Sequence, residues 1–280
     1  MTLPPKSVPP SVSAAQRVGL ERAIEALYGR EDFPLHAGVL HVTALVWDGR
    51  SHWTLKITPE GPHSEYDALA LQLARARADV ILISGQILRD EPDLSYAGWG
   101  PHAQALDAWR RERMGRDEPP EIWVLSSGRN LPFEHPLWRS SRCKLLLPST
   151  SRRDALREAL DTFDIDTLVL PDAASDAPGV LSRVVRLVAP AQTGRTLSLE
   201  IGPRTSAEGY DPSRPLVDEL LLSRYCSAAL APARLAPAPF DWNELPRHFG
   251  GSRPEERHPA DPEWLFSRWR RATSSPPRRP

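Results

Sequence analysis

Four short segments of this chain carry residue types able to hold or reduce a small molecule. Asp48-Gly49 follows the apolar run Leu40–Trp47. Ser84-Gly85-Gln86 follows Val80–Ile83 and leads into Leu88-Arg89-Asp90-Glu91-Pro92. Ser126-Ser127-Gly128-Arg129 follows Glu121–Leu125, and Glu200-Ile201-Gly202-Pro203 closes the run that starts at Thr196. Each stands at the carboxyl end of a strand-like run, where open parallel sheets bind their ligands. Glycine at such an end lets a phosphate approach backbone N–H groups. A hydroxyl pair beside an arginine suits a phosphomonoester. Asp48 is the candidate acid, and Arg89 and Arg129 are candidate phosphate clamps. Each segment also has a plainer reading. Asp-Gly closes a turn, Ser-Gly and Gly-Pro end strands, Ser-Ser-Gly-Arg is ordinary loop chemistry, and either arginine can be a solvated surface residue.

The elements that must position these segments are legible from periodicity. A helix is expected over Ser13–Tyr28, with Leu20, Ala23, Ile24 and Leu27 on one face and Gly29 as its stop. A second runs from Ser64 to Ala78, with Ser64 as N-cap, Asp67 in a capping-box variant, and Tyr66, Leu69, Leu73 and Ala76 as its stripe. Further helices are expected over Pro101–Met114, Asp154–Leu160 (capped near Ser149–Ser151) and Gly179–Val188. Strands are expected at Leu40–Trp47, Val80–Ile83, Glu121–Leu125, Cys143–Leu147, Thr167–Leu170 and Thr196–Ile201. Of these, Val80–Ile83, Ile122–Leu125, Leu168–Leu170 and Leu197–Leu199 should lie inside the sheet. The β-α-β order implies an α/β domain around a mainly parallel sheet. Val217–Arg224 and Trp264–Arg270 should form an antiparallel edge. Gly209, Pro212 and Pro215 argue against a regular helix after Pro203. The Pro-rich segment 231–262 reads as a long ordered loop. Residues 1–35 read as a disordered tail plus an N-terminal helix, 36–271 as the domain, and 272–280 as a second tail.

Composition narrows the functional classes. The chain has 280 residues and a net charge of −1, enough for a large core and without the basic excess that nucleic acid or an anionic membrane would attract. Its two cysteines, Cys143 and Cys226, sit in or beside apolar runs, with neither a disulfide framework nor metal spacing. No apolar stretch reaches membrane-spanning length, and the N-terminus has no signal-peptide apolar region, so a reducing cytoplasm is expected. A sheet edge near Trp264, Phe266 and Trp269 suggests a homodimer anchored by aromatic side chains. His63-Ser64-Glu65 fits the H-x-E of zinc deaminases, but no P-C-x-x-C follows it.

Read in order, strand-Asp-Gly, RADVILI-S-G, LRDEP, LPFEHPLW, LSLEIGP, VDELLLS and LFSRWR resemble the reductase half of the riboflavin-biosynthesis deaminase–reductase, over roughly Leu40–Arg271. The resemblance implies a dihydrofolate-reductase-like fold and an NADPH-dependent reductase. Hydride would pass to C1′ of a phosphoribosylamino-pyrimidine or related heterocycle. It also implies a homodimer. The cofactor would lie across Ser84, Gly85, Gln86, Ser126, Ser127, Arg129, Glu200, Ile201 and Gly202. The substrate would lie nearer Asp48, Arg89 and Asp90. This sequence departs from the family's G-x-G-T at Ile83-Ser84-Gly85-Gln86, and from its E-G-G-P at Glu200-Ile201-Gly202-Pro203. Gln86 and Ile201 should weaken diphosphate binding, with the Ile201 side chain placed in cofactor space. The alternative is a non-catalytic homologue that keeps the fold with a degenerate cofactor site. A pterin-binding acid at Glu65 or Asp67 is a third reading.

Overall fold

The computed structural model describes residues 12–29, 33, 38–55, 61–96, 100–171, 179–226, 236–250, 256–258 and 261–271. Both expected tails, and 231–235, 251–255 and 259–260 of the Pro-rich segment, lie outside the described residues. Helix α1 (Ala14–Tyr28) starts at a full capping box: Gln16 N donates to the Ser13 hydroxyl and Ser13 N donates to the Gln16 side chain. Strands β1 (Val39–Trp47) and β2 (His52–Thr54) form a hairpin over Asp48-Gly49, with Gly49 at φ 93°. Helix α2 (Glu65–Arg77) is N-capped by Ser64, and β3 (Val80–Ser84) runs directly into α3 (Gly85–Asp90), a short helix the sequence pattern did not reveal. Then come α4 (Ala103–Met114), β4 (Glu121–Leu125), β5 (Cys143–Leu147), α5 (Thr150–Ala155), α6 (Arg157–Thr162) and β6 (Thr167–Val169). They are followed by α7 (Val180–Val188), α8 (Pro190–Thr193), β7 (Leu197–Glu200) and α9 (Pro203–Ser206), which passes into a 3-10 turn at Ala207–Tyr210. The chain ends with β8 (Glu219–Cys226), β9 (Ala236–Pro237), α10 (Leu245–Phe249), β10 (Glu256–His258) and β11 (Asp261–Arg270).

The strand order is β10-β11-β8-β1-β7-β3-β4-β5-β6, with β2 on β1 and β9 on β2. Strands β8 through β6 along this path are parallel, and β11 and β10 run antiparallel at one side. Two edge assignments need correction. β8 is interior and parallel to β1, because Leu220, Leu221 and Leu222 are buried against layers on both faces. The edge on that side is β10. At the other side β6 is itself an edge strand, paired only with β5. The Pro-rich segment also holds more than loop: β9, a 3-10 turn at Trp242–Glu244, α10 and the start of β11 all fall within it.

One face of the sheet packs α1, α2 and α4 over Leu40, Leu221, Trp264 and Phe266. The other packs α7 and α10 over Leu45, Leu199, Leu222 and Trp269. Trp264, Phe266 and Trp269 are 1%, 3% and 5% exposed, so they belong to the protomer's own core and cannot anchor a dimer. At the amino ends of β1 and β8, Glu219 sits between Arg77 (2.6 and 2.9 Å) and Arg268 (2.8 Å), all three buried. Burial alone would raise the Glu219 pKa, but the two guanidiniums outweigh it and hold the carboxyl down to about 2.

Candidate functional site

The register brings three of the four chemical segments together. β7, β3 and β4 are neighbours, with Ile83 beside Glu200 and Ser84 beside Leu125. Their carboxyl ends therefore present Glu200–Gly202, Ser84–Gln86 and Ser126–Arg129 side by side. Helices α3 and α9 begin at these ends, and neither has a side-chain cap. Gly202 is exposed, and a side chain built on it would meet no atom within 4 Å. Gly85 differs. A Cβ there would stand 2.8 Å from Ser126 Oγ and 3.2 Å from Leu131 Cδ1, so glycine lets α3 close onto the end of β4. Ser126 Oγ in turn accepts from Gly128 N at 3.0 Å.

The polar side chains are tied locally. Arg89 donates twice to Gln86 Oε1 (2.6 and 3.2 Å) and reaches the carbonyls of Arg129 (3.3 Å) and Asn130 (3.5 Å). Gln86 Nε2 donates to Asp90 Oδ1 at 2.9 Å. Arg89 thus fastens the end of β3 to the loop after β4. Ser127 and Arg129 remain exposed on that loop.

Two residues of the first reading move. Ile201 is 8% exposed and packs in the core cluster with Leu197, Leu199 and Val184, so its side chain points away from cofactor space. Glu200 faces the opposite side, where Arg75 grips it with two bonds (2.9 and 2.7 Å) and Tyr96 OH donates at 3.2 Å. The Arg75 guanidinium lies 4.3 Å over the Tyr96 ring. Burial first, then the Glu200 charge, pushes the Tyr96 hydroxyl up, which keeps it a donor. Neither Arg75 nor Tyr96 was expected here. The signal available was a helix-ending arginine, and it is shared with Arg77.

Asp48 also moves. Its Oδ1 accepts from Arg50 N (2.8 Å) and Ser51 N (2.7 Å), and its Oδ2 accepts from Trp53 Nε1 (2.8 Å). These bonds lower its pKa, so it stays ionised and shapes the hairpin instead of giving up a proton. It is also remote. His41 pairs with Leu199, which puts Val42 beside Glu200 and Asp48 six residues further on, roughly 20 Å at strand rise.

A different carboxyl has the property wanted of an acid. Asp67, half-buried in the first turn of α2, has its pKa raised to about 6, first by burial and further by Asp261, with the Ser223 hydroxyl opposing. Ser223 pairs with Ala44, only two residues past the level of Glu200, roughly 7 Å along the strands with β1 lying between. A raised carboxylate pKa favours folding at low pH, and the advantage fades as pH climbs through about 6. Asp67→Asn should therefore melt higher than the parent above pH 6, by on the order of 1–3 kcal/mol, with the gap closing towards pH 4. Parallel melting curves at pH 4 and pH 7.5 test this, and a pH-independent gap would refute the raised pKa.

No protein-family model and no curated protein matches this chain. Solved structures do. A pyrimidine reductase-like protein of Corynebacterium diphtheriae is similar with TM-score 0.61 and 17% identity, covering 89% of this chain and 98% of that one. Acinetobacter baumannii RibD is similar with TM-score 0.55 and 12% identity, covering 90% of this chain and 62% of its own. The riboflavin biosynthesis reductase Rib7 of Saccharomyces cerevisiae gives TM-score 0.50 and 12% identity, with 90% and 98% covered. The fold is that of these reductases. The expected α/β architecture, a mostly parallel sheet with antiparallel strands at its C-terminal side and flanking helices, is thus the one observed. This chain spans less than two thirds of RibD. Among the described residues no helix is long and apolar enough to cross a membrane, and no cluster of His, Cys, Asp and Glu could hold a metal.

Proposed function

We propose that this chain is an NADPH-dependent reductase of a pyrimidine-type heterocycle, a phosphoribosylamino-pyrimidine or a near relative. The observation that carries the reading is the convergence of three segments on adjacent strand ends, with an open face at Gly202. A dinucleotide there is supported by Ile201, whose side chain is turned into the core and leaves the approach at Gly202 clear. The backbone at Gly85, Gln86 and Gly202 would hold the diphosphate, and Ser127 and Arg129 the 2′-phosphate. Ser126, turned onto Gly128, and Glu200, gripped by Arg75, would support the site without donating to it. Arg89 and Asp90 would border the substrate. When bound, NADPH supplies the hydride. Asp67 takes the role first given to Asp48: a carboxyl that titrates near 6 can hold a proton for a substrate nitrogen as the acceptor carbon is reduced.

Calorimetric titration with NADPH, alongside quenching of tryptophan fluorescence, tests the reading. Saturable binding is expected, and Gly202→Leu should weaken it at least about tenfold without lowering the melting temperature. The second reading, a non-catalytic homologue, is favoured by the closeness of Ser126 to Gly85, which narrows the β3 side of the site. No saturable binding at about 1 mM NADPH would select it.

A further inference from the structure

A cavity of about 450 Å³ opens beyond the carboxyl ends of β1 and β8, away from the strand ends just described. Trp47 of β1 pairs with His52 of β2, and Arg224 of β8 pairs with Leu45, so these three side chains share one sheet face. Trp242 reaches the same place from the Pro-rich segment, where it stands edge-on to Trp269 at 6.3 Å. The His52 ring lies between Trp47 (4.6 Å) and Trp242 (4.3 Å, 11° from parallel). The Arg224 guanidinium sits 4.7 Å over the Trp242 ring, and its NH1 is 3.4 Å from His52 Nε2. Burial, with help from Arg224, holds His52 down to about 4, so the ring is neutral at pH 7 and accepts from Arg224. Among the described residues the positive charge of the pocket comes from Arg224 and the exposed Arg50, with the Asp48 carboxylate acting on His52 in the opposite sense. Among the described residues the one carboxylate in the wall, Asp241, accepts from Asn243 N at 2.9 Å.

The geometry points to a ligand site here for a planar nitrogen heterocycle that carries a phosphate. Trp47, Phe240 and Trp242 line the cavity and are each partly exposed, so aromatic surface remains open to a flat ligand beyond the contacts the rings make with His52 and Arg224. Arg224, held over the Trp242 ring, and the exposed Arg50 at the rim match a dianionic phosphate better than any neutral group does. The volume falls in the range of small-molecule pockets and suits a mononucleotide, not a dinucleotide. The site also accounts for the Pro-rich segment. Residues 236–243 pair β9 onto β2 and bring Phe240 and Trp242 into the lining, so this part of the segment is a wall. This site is argued from its own walls and holds whether or not the chain reduces anything.

The test needs no NADPH. Uridine 5′-monophosphate and flavin mononucleotide are titrated calorimetrically into the full chain, with uridine, riboflavin and inorganic phosphate as partial ligands. At least one monophosphate should bind saturably and at least about tenfold more tightly than its own nucleoside or phosphate alone. Arg224→Gln and Trp242→Leu should each weaken it about tenfold or more, while Gly202→Leu leaves it unchanged. Should Arg224→Gln fail to fold, Arg50→Gln on the exposed turn replaces it, with a smaller loss expected. The inference is overturned by no saturable binding of either monophosphate at about 1 mM. It is equally overturned by nucleosides that bind as tightly as their monophosphates, or by binding that ignores the pocket substitutions.

Discussion

Glu219→Ala is expected to cost about 3–5 kcal/mol of stability, the usual result of removing one partner from a buried ion cluster. The carboxylate is 2% exposed, and its two buried partners Arg77 and Arg268 are equally enclosed. The Phe33 ring lies 4.8 Å from one guanidinium and 4.2 Å from the other, so water cannot replace the lost charge. Two buried cations would be left facing each other across a cavity, with the half-exposed Arg270, 4.0 Å from the carboxylate, beside them. Urea unfolding should show the loss as a lower midpoint with an unchanged slope. The pH dependence has a definite sign. The folded pKa is depressed, so the stabilisation is present above the ordinary glutamate range and disappears as pH falls through about 2. A loss below about 1 kcal/mol would mean that the cluster merely breaks even with hydration.

Ile201→Gly should destabilise by about 3–5 kcal/mol, since it empties a core position next to Leu199 and adds backbone freedom at a strand end. It should also fail to tighten NADPH binding. The reason is directional: the side chain lies under the sheet face, and the face that matters at Gly202 is already open. A variant that melts normally and binds NADPH more tightly would return Ile201 to the cofactor space and undo the core assignment.

How much of this was legible depends on the range of the interaction involved. Val80–Ile83 and Ile122–Leu125 were readable because continuous apolar runs mark strands covered on both faces. The same rule applies to Leu220-Leu221-Leu222, whose two-faced burial argues for an interior strand. The scarcity of helix between Val217–Arg224 and Trp264–Arg270 pointed instead to an antiparallel edge pair and hid that. Ile201 was also decidable. With alternating side chains, Leu197, Leu199 and Ile201 fall on one face and Ser198 and Glu200 on the other. The order of the strands was not decidable, because nothing local says that β7 enters between β1 and β3. The Asp48 carboxyl satisfied both a catalytic and a turn-forming description, and only its three hydrogen bonds separate them. The aromatic pocket was invisible. Trp47, Arg224 and Trp242 meet through pairings between segments far apart in the chain, and no spacing rule connects them.

The strand order also governs when the protein can fold. β3, β4, β5 and β6 are laid down one after another and pair with their immediate successors, so that half of the sheet can assemble as it is synthesised. β1 begins at Val39, yet its two long-term neighbours begin only at Leu197 and Glu219. Until those segments leave the ribosome, β1 has only the β2 hairpin beside it, and β3 has a bare edge. Both are apolar strands of the kind that pair with strangers. Closure of the sheet centre is therefore a late and slow event set by topology. The interval before it is when a nascent chain depends most on being kept from its neighbours.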